Sequence, residues 1–253
     1  MMNMSCTVVS NSSVITDPPT KQFVKIHKKI TVTRCPKKPD KNNVKKCDTK
    51  ILASSGSGLI LHLVDEYTTI LSAGHVCNDN INLLPEDSNY TYRWSEPELV
   101  IQNYKNRFYK AKIIISQKIS LKNKKADLCS LISQGLPKGK EKIRVAQGPP
   151  RKGEDIYYMG APLGIYHTPT VLIVKGVFSG KIDEISSLTS MPVAPGASGS
   201  VVFSLDNKIY GVVFAVHPGF NIASLITNYE KTRNFILRTQ KILELSILEQ
   251  DDI

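Results

Sequence analysis

Three short stretches place reactive side chains beside residues too small to crowd them. The first is Thr69-Ile70-Leu71-Ser72-Ala73-Gly74-His75-Val76-Cys77, an apolar run that ends in small residues and then a histidine. The second is Ala126-Asp127-Leu128-Cys129-Ser130-Leu131-Ile132, where a lone aspartate opens an apolar run directly after the lysines at 122–125. The third is Ala194-Pro195-Gly196-Ala197-Ser198-Gly199-Ser200-Val201-Val202, a serine in a glycine-flanked turn that leads into a β-branched run. A serine hydroxyl is a weak nucleophile until a base removes its proton, so Ser198 needs an imidazole within hydrogen-bond reach. An imidazole used as a base needs a carboxylate to fix its tautomer and to stabilise the cation it becomes. The glycines let the backbone curl so that the Gly196 and Ser198 N–H groups aim at one spot, which is how main chain alone forms an oxyanion hole. Each stretch alone is an ordinary turn or strand end. In His–Asp–Ser order on one chain they make an acyl-transfer site with His75 as base, Asp127 as its orienter and Ser198 as nucleophile.

The rest of the chain has to supply a rigid frame for these residues. Its 253 residues are 41% hydrophobic and 22% charged, ordinary values for a folded protein, which exclude wholesale disorder. Short Ile-, Val- and Thr-rich segments recur between turn residues. They include Leu59–Val64, Thr68–Ser72, Leu99–Gln102, Phe108–Ser116 and Leu128–Ile132, then Asp155–Met159, Val171–Ser179, Val201–Ser204, Ile209–Val216 and Asn221–Ile226. Many short strands at regular spacing predict an all-β sandwich or barrel. Tyr229–Glu249 is the one segment with helical apolar spacing, through Phe235, Ile236, Ile242, Leu243, Leu245 and Leu248. Phe23–Val32 alternates as a strand, Cys35–Lys50 reads as an exposed loop, and residues 1–20 read as a loose leader. The Gly148-Pro149-Pro150 stretch reads as a linker. The division expected is therefore residues 1–50 as leader and basic extension, 51–149 as a first β unit with His75 and Asp127, and 150–253 as a second with Ser198 and the helix.

Five cysteines, at 6, 35, 47, 77 and 129, form no C-x-x-C pair. A disulfide framework or zinc site is not expected; Cys35 and Cys47 are the pair that oxidising conditions would join, and free thiols in a reducing cytoplasm are the favoured reading. The net charge is +11, carried by residues 21–50 at +9 and 101–152 at +12, against −10 for the remainder. Such asymmetry suits nucleic acid or an acidic partner. A solvated lysine surface is favoured instead, because 26 of the 33 basic residues are Lys and no aromatic-rich RNA-binding pattern interleaves them. No apolar run approaches the ~18 residues of a membrane-spanning helix, so no membrane association is expected. The first 20 residues lack a basic start and a continuous apolar stretch, so no signal peptide is expected and a cytoplasmic or virus- or phage-encoded intracellular location is.

The three stretches, with two more, resemble the trypsin/chymotrypsin-fold serine proteases, and most closely the branch of HtrA-like and V8-like (glutamyl-endopeptidase-like) enzymes. Ser55-Gly56-Ser57-Gly58-Leu59-Ile60 resembles the strand ahead of the catalytic histidine, and Ser72-Ala73-Gly74-His75-Val76 the histidine segment itself. Ala126-Asp127-Leu128 resembles the family's D-L-A. Tyr158-Met159-Gly160-Ala161-Pro162-Leu163-Gly164 resembles the G-x-P-x-G opening of the second barrel, and Pro195-Gly196-Ala197-Ser198-Gly199-Ser200 resembles P-G-N-S-G. The resemblance covers roughly residues 50–245. It departs at Gly74, where Ala is usual, at Ala197, where Asn or Asp is usual, and at Ser200, where Gly is common.

The resemblance implies two six-stranded antiparallel β-barrels with a C-terminal helix, a site in the cleft between them, a polypeptide substrate and no cofactor or metal. It also implies that the strand Ile209–Val216 lines the pocket for the residue before the cleaved bond. Pro192, Val193, Val213, Phe214 and Ala215 then make that pocket apolar. Glu- and Gln-selective members carry a histidine where this chain has Val213. Cleavage after a small or medium apolar residue is expected. The competing expectation is a vestigial protease fold that binds nucleic acid or a partner through its basic faces.

Overall fold

The computed structural model describes residues 15, 17–38, 46–64, 67–78, 89–139, 143–217 and 220–251. Most of the expected leader, the centre of the Cys35–Lys50 loop and Cys6 lie outside them. The first half is built from β1 (Phe23–Pro36), β2 (Asp48–Leu61), β3 (Thr69–Ser72), the single turn α1 (Gly74–Cys77), β4 (Tyr90–Trp94), β5 (Glu98–Gln102), β6 (Phe108–Gln117) and β7 (Leu128–Ile132). The strand order β2-β3-β7-β6-β5-β1 returns on itself through antiparallel β1–β2 pairing, closing six strands into a barrel. β4 adds to the far end of β1, from Val32↔Trp94 to Pro36↔Tyr90.

The expected boundary at residue 50 is therefore corrected. β1 pairs with β2 from Phe23↔Leu59 to Arg34↔Asp48, so residues 23–36 are part of the first barrel rather than an extension. The physical reason is alternation. Along β1 the side chains of Val24 and Ile26 are fully buried while Lys25 and His27 on the other face are only half-buried, so a basic stretch still carries one apolar face. The expected loop is shorter than Cys35–Lys50, because strand runs to Pro36 and resumes at Asp48, with Cys35 and Cys47 joined by a disulfide across the ribbon's end.

The second half holds β8 (Asp155–Gly160), β9 (Leu172–Lys181), β10 (Ser186–Thr189), β11 (Val201–Ser204), β12 (Ile209–His217) and β13 (Phe220–Thr227), closed in the order β10-β13-β12-β11-β8-β9. Along β8 the alternation sends Tyr158 into this barrel, while Tyr157 stacks on Phe203 and joins the apolar cluster shared with the first barrel. Both rings are fully buried. α2 (Tyr229–Asp251) buries Phe235, Ile236 and Leu243. Burial of such a side chain stabilises by about 1.5–3 kcal/mol. The helix does not rest on the second barrel alone. Thr239 Oγ1 reaches Ser130 Oγ on β7 at 3.2 Å, so α2 straps the two halves together. Among the described residues no helix is long and apolar enough to cross a membrane.

Candidate active site

β3 and β7 are neighbours, with Ser72 opposite Cys129. Whatever follows β3 and whatever precedes β7 therefore meet at the same end of the first barrel, although 52 residues separate them. His75 follows β3 on α1; Asp127 directly precedes β7. The Asp127 side chain is only 6% exposed and that of His75 is 31% exposed. The two carboxylate oxygens are used separately: Oδ1 accepts the His75 backbone N–H at 2.9 Å, and Oδ2 is hydrogen-bonded to Nδ1 of the imidazole. An ionised carboxylate only accepts, so Nδ1 carries the hydrogen and Nε2 keeps its lone pair.

Ser198 lies in the turn between β10 and β11. Within that turn Ala197 N–H bonds to Ala194 O, Ser200 N–H bonds to Ala197 O, and Gly199 N–H bonds to Val213 O. Among the described residues, the N–H groups of Gly196 and Ser198 donate to no protein acceptor. Gly196 and Gly199 have φ of +98° and +87°, the left-handed region that glycine enters without penalty. Gly199 also has no room for a side chain, since a Cβ there would stand 2.1 Å from Ser57 O and 2.3 Å from Ser72 Oγ.

Ser57, fully buried on β2, fastens this turn to the first barrel. Its N–H bonds to Ser198 O at 2.8 Å and its hydroxyl donates to Gly196 O at 2.8 Å. The same hydroxyl accepts from Ala161 N–H at 3.1 Å, and its carbonyl accepts from Ser72 Oγ at 2.8 Å. Ser57 thus ties the strand before His75, the serine turn and the start of the second barrel's loop into one network. In the sequence Ser57 is one residue of a glycine-rich strand, and its role as a fastener is visible only once the barrels are docked. The network sets Ser198 alongside the His75 segment, with no hydrogen bond between the Ser198 hydroxyl and His75 in this structure. Such bonds are often long in unliganded enzymes and tighten with substrate.

Beside Ser198 opens a pocket of about 790 Å³ with mostly aliphatic walls, and Pro192, Val193, Val213 and Ala215 line it. Phe214 does not. Alternation along β12 sends Val213 and Ala215 to the pocket and Phe214 to the opposite face, against the apolar cluster that the two barrels share. Val216 and Ile222, not anticipated, complete the wall. Behind it, Tyr158 donates its hydroxyl to Pro192 O at 2.8 Å, and burial pushes the Tyr158 pKa up to about 12. Among the described residues no three His, Cys, Asp or Glu side chains gather as a metal site.

The cysteines overturn the expectation of free thiols. Besides Cys35–Cys47, a second disulfide joins Cys77 on α1 to Cys129 on β7. Each of these lies two residues beyond a member of the His75–Asp127 pair. Such bonds persist in oxidising surroundings.

No family model matches the chain, and no curated protein matches its sequence. Among solved structures, the inactive form of the Rv3671c protease superposes with a TM-score of 0.55 at 13% identity, covering 87% of this chain and 90% of that one. A serine-to-alanine mutant of Rv3671c from M. tuberculosis H37Rv gives 0.56 at 13%, over 89% and 91%. The active form from M. tuberculosis gives 0.55 at 13%, over 85% and 79%. Likeness at this identity is likeness of fold: two closed six-stranded antiparallel β-barrels followed by a C-terminal helix, the trypsin-like fold.

Proposed function

We propose that this chain is a serine endopeptidase of the HtrA-like and V8-like kind, acting on polypeptides through His75, Asp127 and Ser198. The observation that carries the reading is the two-point grip of Asp127 on His75, through the backbone N–H and through Nδ1, beside a serine turn with two undirected N–H groups. His75 Nε2 removes the Ser198 proton as Oγ bonds to the substrate carbonyl carbon. The oxyanion that forms accepts hydrogen bonds from Gly196 and Ser198 N–H. Collapse breaks the C–N bond, and His75 returns the proton to the leaving amine. Water, activated by the same imidazole, hydrolyses the acyl-enzyme and restores Ser198. Asp127 stays ionised throughout and offsets the charge on the imidazolium.

The aliphatic pocket beside Ser198 supports cleavage after a small or medium apolar residue. Among the described residues no charged side chain lines it, so neither an acidic nor a basic residue gains a partner there. The experiment is labelling with a fluorophosphonate, followed by a peptide library for the residue before the cleaved bond. Wild type is expected to label, Ser198→Ala not at all, and His75→Ala at least about a thousandfold more slowly. The library is expected to favour Ala, Val or Leu. A folded wild type that labels no better than Ser198→Ala would reject the reading.

A further inference from the structure

α1 is a single helical turn, too short to be stable by its own hydrogen bonds. Its position, and with it the His75 imidazole, has to be fixed by what touches it. Asp127 supplies one contact, on the His75 N–H, and the Cys77–Cys129 disulfide another. A third comes from an unexpected residue. Lys28, on β1, is only 6% exposed, and its Nζ donates to His75 O at 2.8 Å and to Asn78 O at 2.8 Å.

A buried ammonium is costly unless acceptors converge on it, and here two carbonyls at the C-terminal end of the turn do so. The carbonyl end of a turn carries the negative pole of its peptide dipoles, so a cation is the group that fits. Both peptide groups of His75 are consequently held by side chains of matching charge: the carboxylate of Asp127 on its N–H and the ammonium of Lys28 on its C=O. With both ends fixed, the backbone of His75 has one setting, and in it Nδ1 meets Asp127 Oδ2. Lys28 comes from β1, Asp127 from the edge of β7, so the turn is gripped from two sides of the barrel. None of the 11 basic residues in 21–50 is distinguished by the sequence as the one that turns inward.

We propose that Lys28 is a positioning residue of the site, whose ammonium holds the His75 turn so that the imidazole stays on Asp127. The kinetic part of this rests on the protease reading; the placement of the imidazole does not. The test replaces Lys28 with methionine, which keeps the stem and removes the charge. Leu243→Ala, on the buried face of α2, serves as a control that destabilises without touching the turn. Two readouts are taken: the low-field proton resonance of the His75 Nδ1–H bonded to Asp127, and the fluorophosphonate labelling rate of Ser198 resolved into its maximal rate and its half-saturating concentration. For Lys28→Met the resonance is expected to broaden or vanish, and the maximal rate to fall by about ten- to a hundredfold with the half-saturating concentration little changed. Leu243→Ala, read well below its melting temperature, is expected to keep both.

Retention of the resonance in Lys28→Met would overturn the proposal. So would equal loss in Leu243→Ala, or its absence from the wild type. A wild type that shows the resonance but does not label would reject the protease reading and leave Lys28 to be decided by the resonance alone. Should Lys28→Met not fold, Lys28→Gln, which keeps a neutral donor, is read by the same criteria.

Discussion

A methyl group at residue 74 would stand 2.0 Å from Gln117 O and 2.6 Å from Asp127 Oδ1. That accounts for the glycine here, at a position where the resembling proteases usually carry alanine. The main chain of α1 approaches β6 and the carboxylate too closely for any Cβ. Gly74→Ala, conservative by family resemblance, is therefore expected to push Asp127 off the His75 N–H or to lift the turn from β6. Overpacking of this kind costs about 1–3 kcal/mol of stability, and the labelling rate of Ser198 should fall by roughly a hundredfold or more. A Gly74→Ala protein with wild-type melting temperature and labelling would refute the crowding argument. At this scale the sequence exposes what chemistry demands. The roles proposed for His75, Asp127 and Ser198 are legible because few side chains serve as base, orienter and nucleophile. Lys28 is not legible, because a lysine facing inward and one facing water are the same letter in a basic stretch. The facing of Phe214 is hidden for a related reason. An apolar run such as Val212-Val213-Phe214-Ala215 does not declare which of its two faces meets the pocket, and the barrels on either side both accept apolar residues.

Among the elements, β3 and β7 matter most, since their pairing brings the His75 turn and Asp127 together. The Cys77–Cys129 disulfide repeats that juxtaposition covalently, with a sequence separation of 52. A cross-link closing a loop of that size removes chain entropy from the unfolded state and typically contributes about 2–4 kcal/mol. Cys77→Ser with Cys129→Ser is expected to lower the melting temperature accordingly and to slow Ser198 labelling, because α1 loses one of its three anchors. Both cysteines are fully buried, so reductant should act only slowly on the folded chain. A double variant matching wild type in melting and labelling would mean that strand pairing alone suffices. Most strands are readable from short β-branched runs and turn residues, and α2 from its apolar spacing, whereas β4 and β10, which lack such runs, are not. The Cys77–Cys129 pairing is not readable either, because irregular spacing contains no information about which strand ends become neighbours in a closed barrel. The far half of β1 was missed as well: beyond Val32 its residues are mostly polar and partly exposed, so burial no longer imprints a period of two.

At the scale of the whole molecule, the two barrels are held by a few specific contacts as well as by apolar area. Ser57 is one and Thr239 on Ser130 another. Lys25 Nζ donates to Gly164 O at 3.0 Å, and Phe23 meets Tyr166 edge-on at 5.1 Å between ring centroids. Tyr166 is an imperfect member of this junction. Among the described residues its hydroxyl is buried with no hydrogen-bond partner, and burial pushes its pKa up to about 12. Tyr158 is raised to about 12 and Tyr210 is raised too, each chiefly by burial. A raised tyrosine pKa means that the folded chain holds protons which the unfolded chain has released above about pH 10. Stability is then full below pH 10 and falls as pH climbs through 12. Tyr166→Phe separates the two effects. It keeps the edge-on ring contact and deletes the stranded hydroxyl, so at neutral pH it should be neutral or stabilise by about 1 kcal/mol. It also removes one of the groups that titrate differently in the two states, so the loss of stability between pH 10 and 12 should become shallower. Urea unfolding of wild type and Tyr166→Phe at pH 7 and at several values from 9 to 12 measures both. A variant less stable at pH 7, with an unchanged alkaline slope, would show that the hydroxyl has a partner at the junction and titrates like any exposed tyrosine.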